Sequence, residues 1–343
     1  MKYFSKKIIV ALLLLVITFD SYAGGGNRTG TGGAAQLLIP VGTAGMAIAG
    51  SGIATAEGLD AIFWNPAGVA NSLNNTNIGF SHMNYIADIG VENGAISTSI
   101  PDIGTVAFNL KSISVGEIAV TTNQYPDGTG RTFKPQYLTA GLTYSRQLTN
   151  RIAVGVTGTL VTESLGDASA SGVAFNVGLI YKDLADIDGL SFGIVMKNLG
   201  PQMKYDGSAL STTASVADWK RSPGILKIDT APFELPSTFE IGFGYMPYVD
   251  KANRLQVTAD FQNNNFSGDE YKFGLEYSYV KTFYLRAGYS TSPKSQSEDY
   301  IYGLTCGAGI SYAMEGITLS VGYAYRDIKY FDANHVFEIN LGF

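Results

Sequence analysis

The sequence predicts an all-β protein, a fourteen-stranded antiparallel transmembrane β-barrel preceded by an N-terminal plug segment. Three observations carry this reading. The chain ends on a strand in which Phe337, Ile339, Leu341 and Phe343 alternate with Glu338, Asn340 and Gly342, as in a wall with one face on lipid and the other on a lumen. It begins with Lys2, Lys6 and Lys7, an apolar run from Ile8 to Phe19 and the small-residue stretch Ser21-Tyr22-Ala23, the three regions of a secretory signal peptide. That run is about 12 residues, short of the roughly 20 that a spanning helix needs, and no later apolar run is longer. A membrane protein without such a helix must satisfy its backbone in a closed barrel.

The organisation follows from the N-terminus onward. Residues 1–23 read as the signal peptide, 24–75 as the plug and 76–343 as the barrel. No Cys follows the signal, which argues against a lipoprotein, and the single Cys306 excludes an intramolecular disulfide. With 41 Gly, 21 Tyr, 18 Phe and 15% charged residues, the chain is less charged than a soluble domain without being continuously hydrophobic. Removal of the signal leaves 20 basic and 28 acidic residues, a balance of −8 that argues against nucleic acid as a partner.

Period-two segments after residue 75 fall near 76–84, 92–100, 104–114, 136–147, 151–162, 171–182, 189–198, 237–246, 253–263, 270–279, 282–290, 300–312, 315–326 and 334–343. In the tenth, Tyr271, Phe273, Leu275, Tyr277 and Tyr279 share one face, opposite Lys272, Gly274, Glu276 and Ser278. The second, through Gly94, Ile96 and Thr98, shows the least alternation. Connections alternate in length: residues 101–103, 148–150, 182–188, 246–252, 280–281 and 313–314 are short, whereas 115–135 and 199–236 are long. Short periplasmic turns and longer extracellular loops produce this alternation, with both termini periplasmic.

The same alternation puts Lys111, Lys197, Glu240, Asp260, Lys272, Glu276, Arg286, Arg326 and Glu338 on the lumen face, either as structural ion pairs or as a solute path, and Cys306 on the lipid face. Residues 24–75 are rich in Gly and Ala and read as a segment filling the barrel mouth. Asp60 is placed to cap a short turn, and Asn65-Pro66 halts any helix before it.

The run from Ala44 through Ala61 into Phe63, Trp64, Asn65, Pro66, Ala67 and Gly68 resembles the N-terminal signature of FadL-like barrels and, more closely, of the PorV/PorQ family of outer-membrane proteins. The blocks Gly128 to Pro135, Lys197 to Pro201 and Glu234 to Thr238 are similar to that family too. The resemblance implies a fourteen-stranded FadL-type barrel with an N-terminal plug, in which Phe63 to Gly68 are structural. It implies further a component of type IX protein secretion that binds or shuttles exported proteins through their C-terminal sorting domains. The alternative is FadL-like transport of hydrophobic small molecules.

An enzyme is hard to build from these residues. His82 and His335 stand at barrel rims, and no cofactor motif, metal-ligand spacing or nucleophile elbow is present. His82 with Asp88 or Asp102 and a serine is a remote route to a triad, and Asp183, Asp186 and Asp188 lack Ca²⁺-loop spacing. The long loops instead carry Tyr125, Phe133, Tyr137, Met203, Tyr205, Trp219, Ile225, Leu226, Ile228 and Phe233. Of these, Tyr205, Trp219, Ile225, Leu226 and Phe233 form the candidate partner or ligand loop, which either meets a partner or folds over the barrel top. Expected partners are outer-membrane lipid, secreted proteins, and the barrel-assembly machinery through the strand ending in Phe343.

Overall fold

Alternation of apolar with small or polar residues allows one strand to satisfy two environments, and fourteen such strands close on themselves here. The computed structural model describes residues 32–214, 224–247, 250, 252–293 and 300–343; the signal peptide expected at 1–23 lies outside them. The barrel strands are β1 Thr76–Asn84, β2 Gly90–Ile100, β3 Gly104–Ser114, β4 Gln136–Gln147, β5 Ile152–Leu165, β6 Ala168–Tyr181, β7 Leu190–Leu199, β8 Thr238–Tyr245, β9 Asn253–Asn264, β10 Glu270–Tyr279, β11 Phe283–Thr291, β12 Tyr302–Met314, β13 Ile317–Ile328 and β14 Asn334–Gly342. Each pairs antiparallel with its neighbour, and β14 pairs with β1 from Asn77 opposite Gly342 to Asn84 opposite His335. Closure leaves no open sheet edge to lipid. No helix among the described residues is long and apolar enough to cross a membrane.

The outward faces carry Phe80, Phe108, Leu142, Leu160, Leu275, Leu285, Tyr289, Val321 and Phe337, all solvent-accessible in the isolated chain. Cys306 stands on the same face, opposite Ala287 and Tyr325. The inward faces bury Lys111, Lys197, Glu240, Asp260 and Lys272. Such sorting fits only a lipid exterior. Leu142, midway along β4, is 61% exposed. Leu142→Arg should therefore cost about 2–4 kcal/mol in lipid, read as a lowered guanidinium midpoint of the barrel in vesicles. An unchanged midpoint would put that face in water.

Several strand boundaries differ from the sequence reading. β2 starts at Gly90, earlier than the expected 92, and β12 starts at Tyr302, later than 300, with a register shift between Tyr302 and Thr305. β5 and β6 run on until only Gly166 and Asp167 remain between them, with Gly166 at φ +61. The outward residues of that extension include Ser164, Ser169 and Ser171, so the apolar alternation fades although the ladder continues. β5 and β6 have 14 residues each against 8 in β8, so their hairpin extends the wall at the long-loop end.

Before β1 come a 3₁₀ turn at Ala35–Leu37, helix α1 at Thr43–Ala47, helix α2 at Ala61–Trp64 and a second 3₁₀ turn at Pro66–Asn71. Asp60 precedes α2, but its side chain makes no capping bond. Its carboxyl lies instead against Gly42, where φ is +82 and an added Cβ would collide with it.

Candidate functional site

The N-terminal segment winds round the inner wall, and the wall is thinned to receive it. Following the strands forward, Gly155 of β5 abuts Pro66, Gly178 of β6 abuts Asn65, and Gly193 of β7 abuts Ala54. Gly242 of β8 then meets Ile53, Gly274 of β10 meets Ser51, Gly288 of β11 meets Ile48, Gly307 of β12 meets Ala47 and Gly322 of β13 meets Thr43. At each contact a Cβ on the glycine would overlap the segment. Glycine inside a strand marks such close backbone approach, and this series of lumen-facing glycines is the signal in the sequence that would have located the plug path.

Asn65 is the most constrained residue of the Phe63–Gly68 run. It is fully buried and extended (φ −155, ψ 108), as the following Pro66 requires, so α2 stops at Trp64. Its Nδ2 donates to the carbonyls of Ile53 (2.8 Å) and Leu179 (3.2 Å), while its Oδ1 accepts from the Ala67 N–H (3.1 Å). One side chain thus ties two plug turns to β6. The Ala67 carbonyl accepts from Ser145 Oγ of β4 (2.9 Å), and Gly68 packs against the Ala56 carbonyl so closely that no Cβ fits. Elsewhere Thr43 donates from N–H and Oγ1 to Glu338 Oε2 (2.8 and 2.7 Å), the Ile53 N–H donates to Asp260 Oδ2 (3.1 Å), and Thr305 Oγ1 donates to the Ala47 carbonyl (2.9 Å).

Ionised groups gather beneath Phe63 and Trp64. Lys197 Nζ lies 2.7 Å from Glu240 Oε1, 5.1 Å from the Phe63 ring centroid and 5.4 Å from that of Trp64. Lys111 Nζ donates to the carbonyls of Gln36 (2.7 Å) and Ile39 (2.8 Å) and stands 5.3 Å from the Phe63 centroid. Phe63 therefore offers its ring to two ammonium groups, an interaction that strengthens when desolvated. Lys272 hydrogen-bonds Gln262, with the Glu240 and Glu270 carboxylates each 3.9 Å away. The sequence analysis placed these charges on the lumen face, but not the role of Lys111 in holding plug carbonyls.

Two cavities border the plug among the described residues. One, of about 990 Å³, is floored by Leu38, Met46, Phe63 and Trp64, and reaches Tyr85, Ile86, Ser267 and Tyr300 in the connections at the long-loop end. That end faces outward if short turns are periplasmic. The other cavity, of about 240 Å³, lies on the short-turn side among Glu57, Asp60, Glu276, Arg286 and Glu338. Trp64 borders both.

The long loops split between the two roles left open for them. Met203 is buried and exchanges backbone hydrogen bonds with Phe233 (2.9 and 2.8 Å). Tyr205 stacks on Phe233 at 5.5 Å, and both pack on a cluster with Leu37, Val161 and Leu235. Tyr205 also donates to Glu163; burial first, and then that bond, push its hydroxyl pKa up. Tyr205 and Phe233 thus close the mouth on the β5–β6 side.

Between them an arm projects. Asp206-Gly207 pairs with Ala168-Ser169 of β6, and Ser211–Ala214 pairs with Gly224–Lys227. Ile225 is 80% exposed, with Leu226 and Ile228 also exposed. Lys227 pairs with Asp206, whose carboxyl pKa is lowered chiefly by that hydrogen bond. Trp219 lies outside the described residues. In the other long loop Tyr125 is exposed, while Phe133 and Tyr137 are half-buried.

The remaining candidates hold rim positions. His82 bonds Glu92 (2.6 Å) and Asn84 (2.9 Å) near the long-loop end, whereas Asp102 sits in the β2–β3 turn at the other end, so these two do not meet. His335 Nδ1 is 2.8 Å from Tyr323 Oη. Asp183 Oδ1 accepts from the Gly189 N–H (2.9 Å), and Asp186 pairs with Arg151 (2.5 Å).

A family model described as "Type IX secretion system protein PorV" matches residues 23–215. No curated protein matches the chain. Among solved structures, the CymD monoaromatic hydrocarbon channel aligns over 89% of this chain and 98% of its own at 15% identity, with a TM-score of 0.58. The Ralstonia pickettii toluene transporter TbuX aligns over 89% and 98% at 13% identity and a TM-score of 0.55. A Pseudomonas aeruginosa FadL homologue aligns over 88% and 98% at 12% identity and a TM-score of 0.50. At these identities the likeness is one of fold, a FadL-like barrel.

Proposed function

The chain belongs to the PorV family of type IX secretion proteins, an outer-membrane β-barrel and not an enzyme, and on that premise we propose that it binds and shuttles exported proteins at the cell surface. The observation supporting this is the arm. Ile225, Leu226 and Ile228 stand exposed on or beside a two-stranded arm fixed to β6 at the β5–β6 hairpin, and exposed aliphatics in such a place mark a partner site. The plug stitched to the wall favours capture at the surface over passage through the lumen. In this reading Tyr205 and Phe233 set the base of the arm, and Phe63 to Gly68 act as structure.

The test is capture of an exported protein's C-terminal domain by the purified full chain. Changing Ile225 and Leu226 together to Ser should weaken capture by about fivefold or more, the worth of one buried anchor above 1 kcal/mol. Undiminished capture would remove the arm from the interface.

A second reading, passage of hydrophobic small molecules, is favoured by the 990 Å³ cavity with its partly apolar lining and by the hydrocarbon channels and toluene transporter among the fold's neighbours. Mass spectrometry of the chain purified from native membranes separates the two: a stoichiometric hydrophobic compound without protein partners would favour this second reading.

A further inference from the structure

We propose that the outer chamber is a receptor for the free C-terminal end of an exported polypeptide, its carboxylate taken by Arg326 and Lys272. This inference rests on the carrier reading and adds to it a site, a ligand group and the residues that hold it.

The charge of the chamber comes first. Its lining includes three cations, Lys197, Lys272 and Arg326, against two carboxylates, Glu240 and Glu270. Lys197 is committed to Glu240 at 2.7 Å. Lys272, 6% exposed, has one close acceptor in Gln262, while both carboxylates stand beyond hydrogen-bond reach at 3.9 Å. Arg326, 9% exposed, lies 4.1 Å above the Tyr302 ring, and its Nη2 and Nε meet the Asn334 side-chain oxygen at 2.7 and 3.2 Å once that amide is oriented to accept. No carboxylate pairs with Arg326 among the described residues. Arg326, with no carboxylate partner among the described residues, and Lys272, whose two carboxylate neighbours at 3.9 Å make no direct hydrogen bond to it, leave the chamber with one cation in excess and suit an incoming anion, for which charge-assisted hydrogen bonds are the strong ones.

The wall then decides what the anion is attached to. Thr238, Gln262, Asn264, Ser290 and Ser292 present hydroxyl and amide groups from β8, β9, β11 and the turn after it. Four of them already bond within the wall, Thr238 to Glu240, Gln262 to Asn264 and Lys272, Asn264 to Gly268 and Glu270, and Ser292 to Asp269, and the acceptor capacity they keep suits a peptide backbone better than a hydrocarbon chain. The apolar surface is confined to the plug floor, where Leu38 is 42% exposed beside Met46 and Trp64, a seat for a side chain or two. At about 990 Å³ the chamber is at the upper end of the range of small-ligand sites, room for a short peptide end. Its strand residues come from β7 to β13, whereas the arm is paired to β6, and in this proposal one cargo domain rests on the arm and places its last residues inside.

The experiment uses the full chain in detergent and, as probe, the C-terminal domain of a protein exported by the same cell. The domain is made with a free carboxylate and as its C-terminal carboxamide. The carboxamide, and separately Arg326→Gln or Lys272→Gln in the receptor, should each weaken binding by about tenfold or more. Equal binding of carboxylate and carboxamide forms would overturn this inference and leave the carrier reading standing. Failure of both forms to bind would overturn the carrier reading and this inference with it. Displacement of the domain by an equal concentration of a fatty acid would assign the chamber to hydrocarbon ligands instead. Because the decisive change is made in the probe, misfolding of a receptor variant cannot mimic it.

Discussion

Glu240→Ala is expected to cost the barrel about 3–5 kcal/mol, the usual penalty for removing one partner of a buried ion pair. Glu240 is 0% exposed and sits between Lys197 at 2.7 Å and Lys272 at 3.9 Å. Its loss leaves two ammonium groups in a site where Asp260, already bonded to the Ile53 N–H, is a nearby carboxylate. Lys197 also faces Phe63 and Trp64, so the damage should reach the plug. The check is a guanidinium titration of the folded barrel in vesicles, with Glu240→Gln losing less because it keeps an acceptor for Lys197. A loss below about 1 kcal/mol for Glu240→Ala would mean that the lysines are solvated through the outer chamber.

Gly178→Ala should unseat the plug. The added methyl would occupy the position of Asn65 Oδ1 and press on Pro66, and overpacking of this kind typically costs about 1–3 kcal/mol. Relief is available only if Asn65 leaves the wall, giving up its bond to Leu179 and exposing the Ile53 carbonyl. The parent barrel should conduct little in a planar bilayer, and the variant should show large steady or flickering conductance. A variant as silent as the parent would mean that the wall yields and the plug does not. Gly90 and Gly94 have open space where a Cβ would go, so Gly94→Ala is the matched control.

The strands were legible because lipid imposes a rule that residues obey one at a time: Tyr271 to Tyr279 face lipid and Lys272 to Ser278 face the lumen, as their alternation predicted. The rule lapses above the membrane, which is why the Ser-rich top of β5 and β6 read as a loop. It is also silent about contacts between distant parts of the chain. Met203 and Phe233 are thirty positions apart, and nothing local to either says that they pair and draw Tyr205 inward. Ile225 and Leu226, in the same loop, stay exposed. Within Phe63 to Gly68 the helix stop at Asn65-Pro66 was legible, but not which strands the run would touch. That information was spread over Gly155 and Gly178, whose smallness has meaning only once Pro66 and Asn65 lie against them.

The route of the plug has a consequence for assembly. β14 performs two tasks: its backbone closes the cylinder against β1, and its Glu338 receives the N–H and hydroxyl of Thr43. An assembly intermediate with its seam still open therefore lacks one anchor of the plug as well. Closure of the seam and this anchor of the plug depend on the same strand of nine residues, Asn334–Gly342. A barrel whose seam has closed is then one in which the N-terminal segment has gained its Thr43 anchor as well.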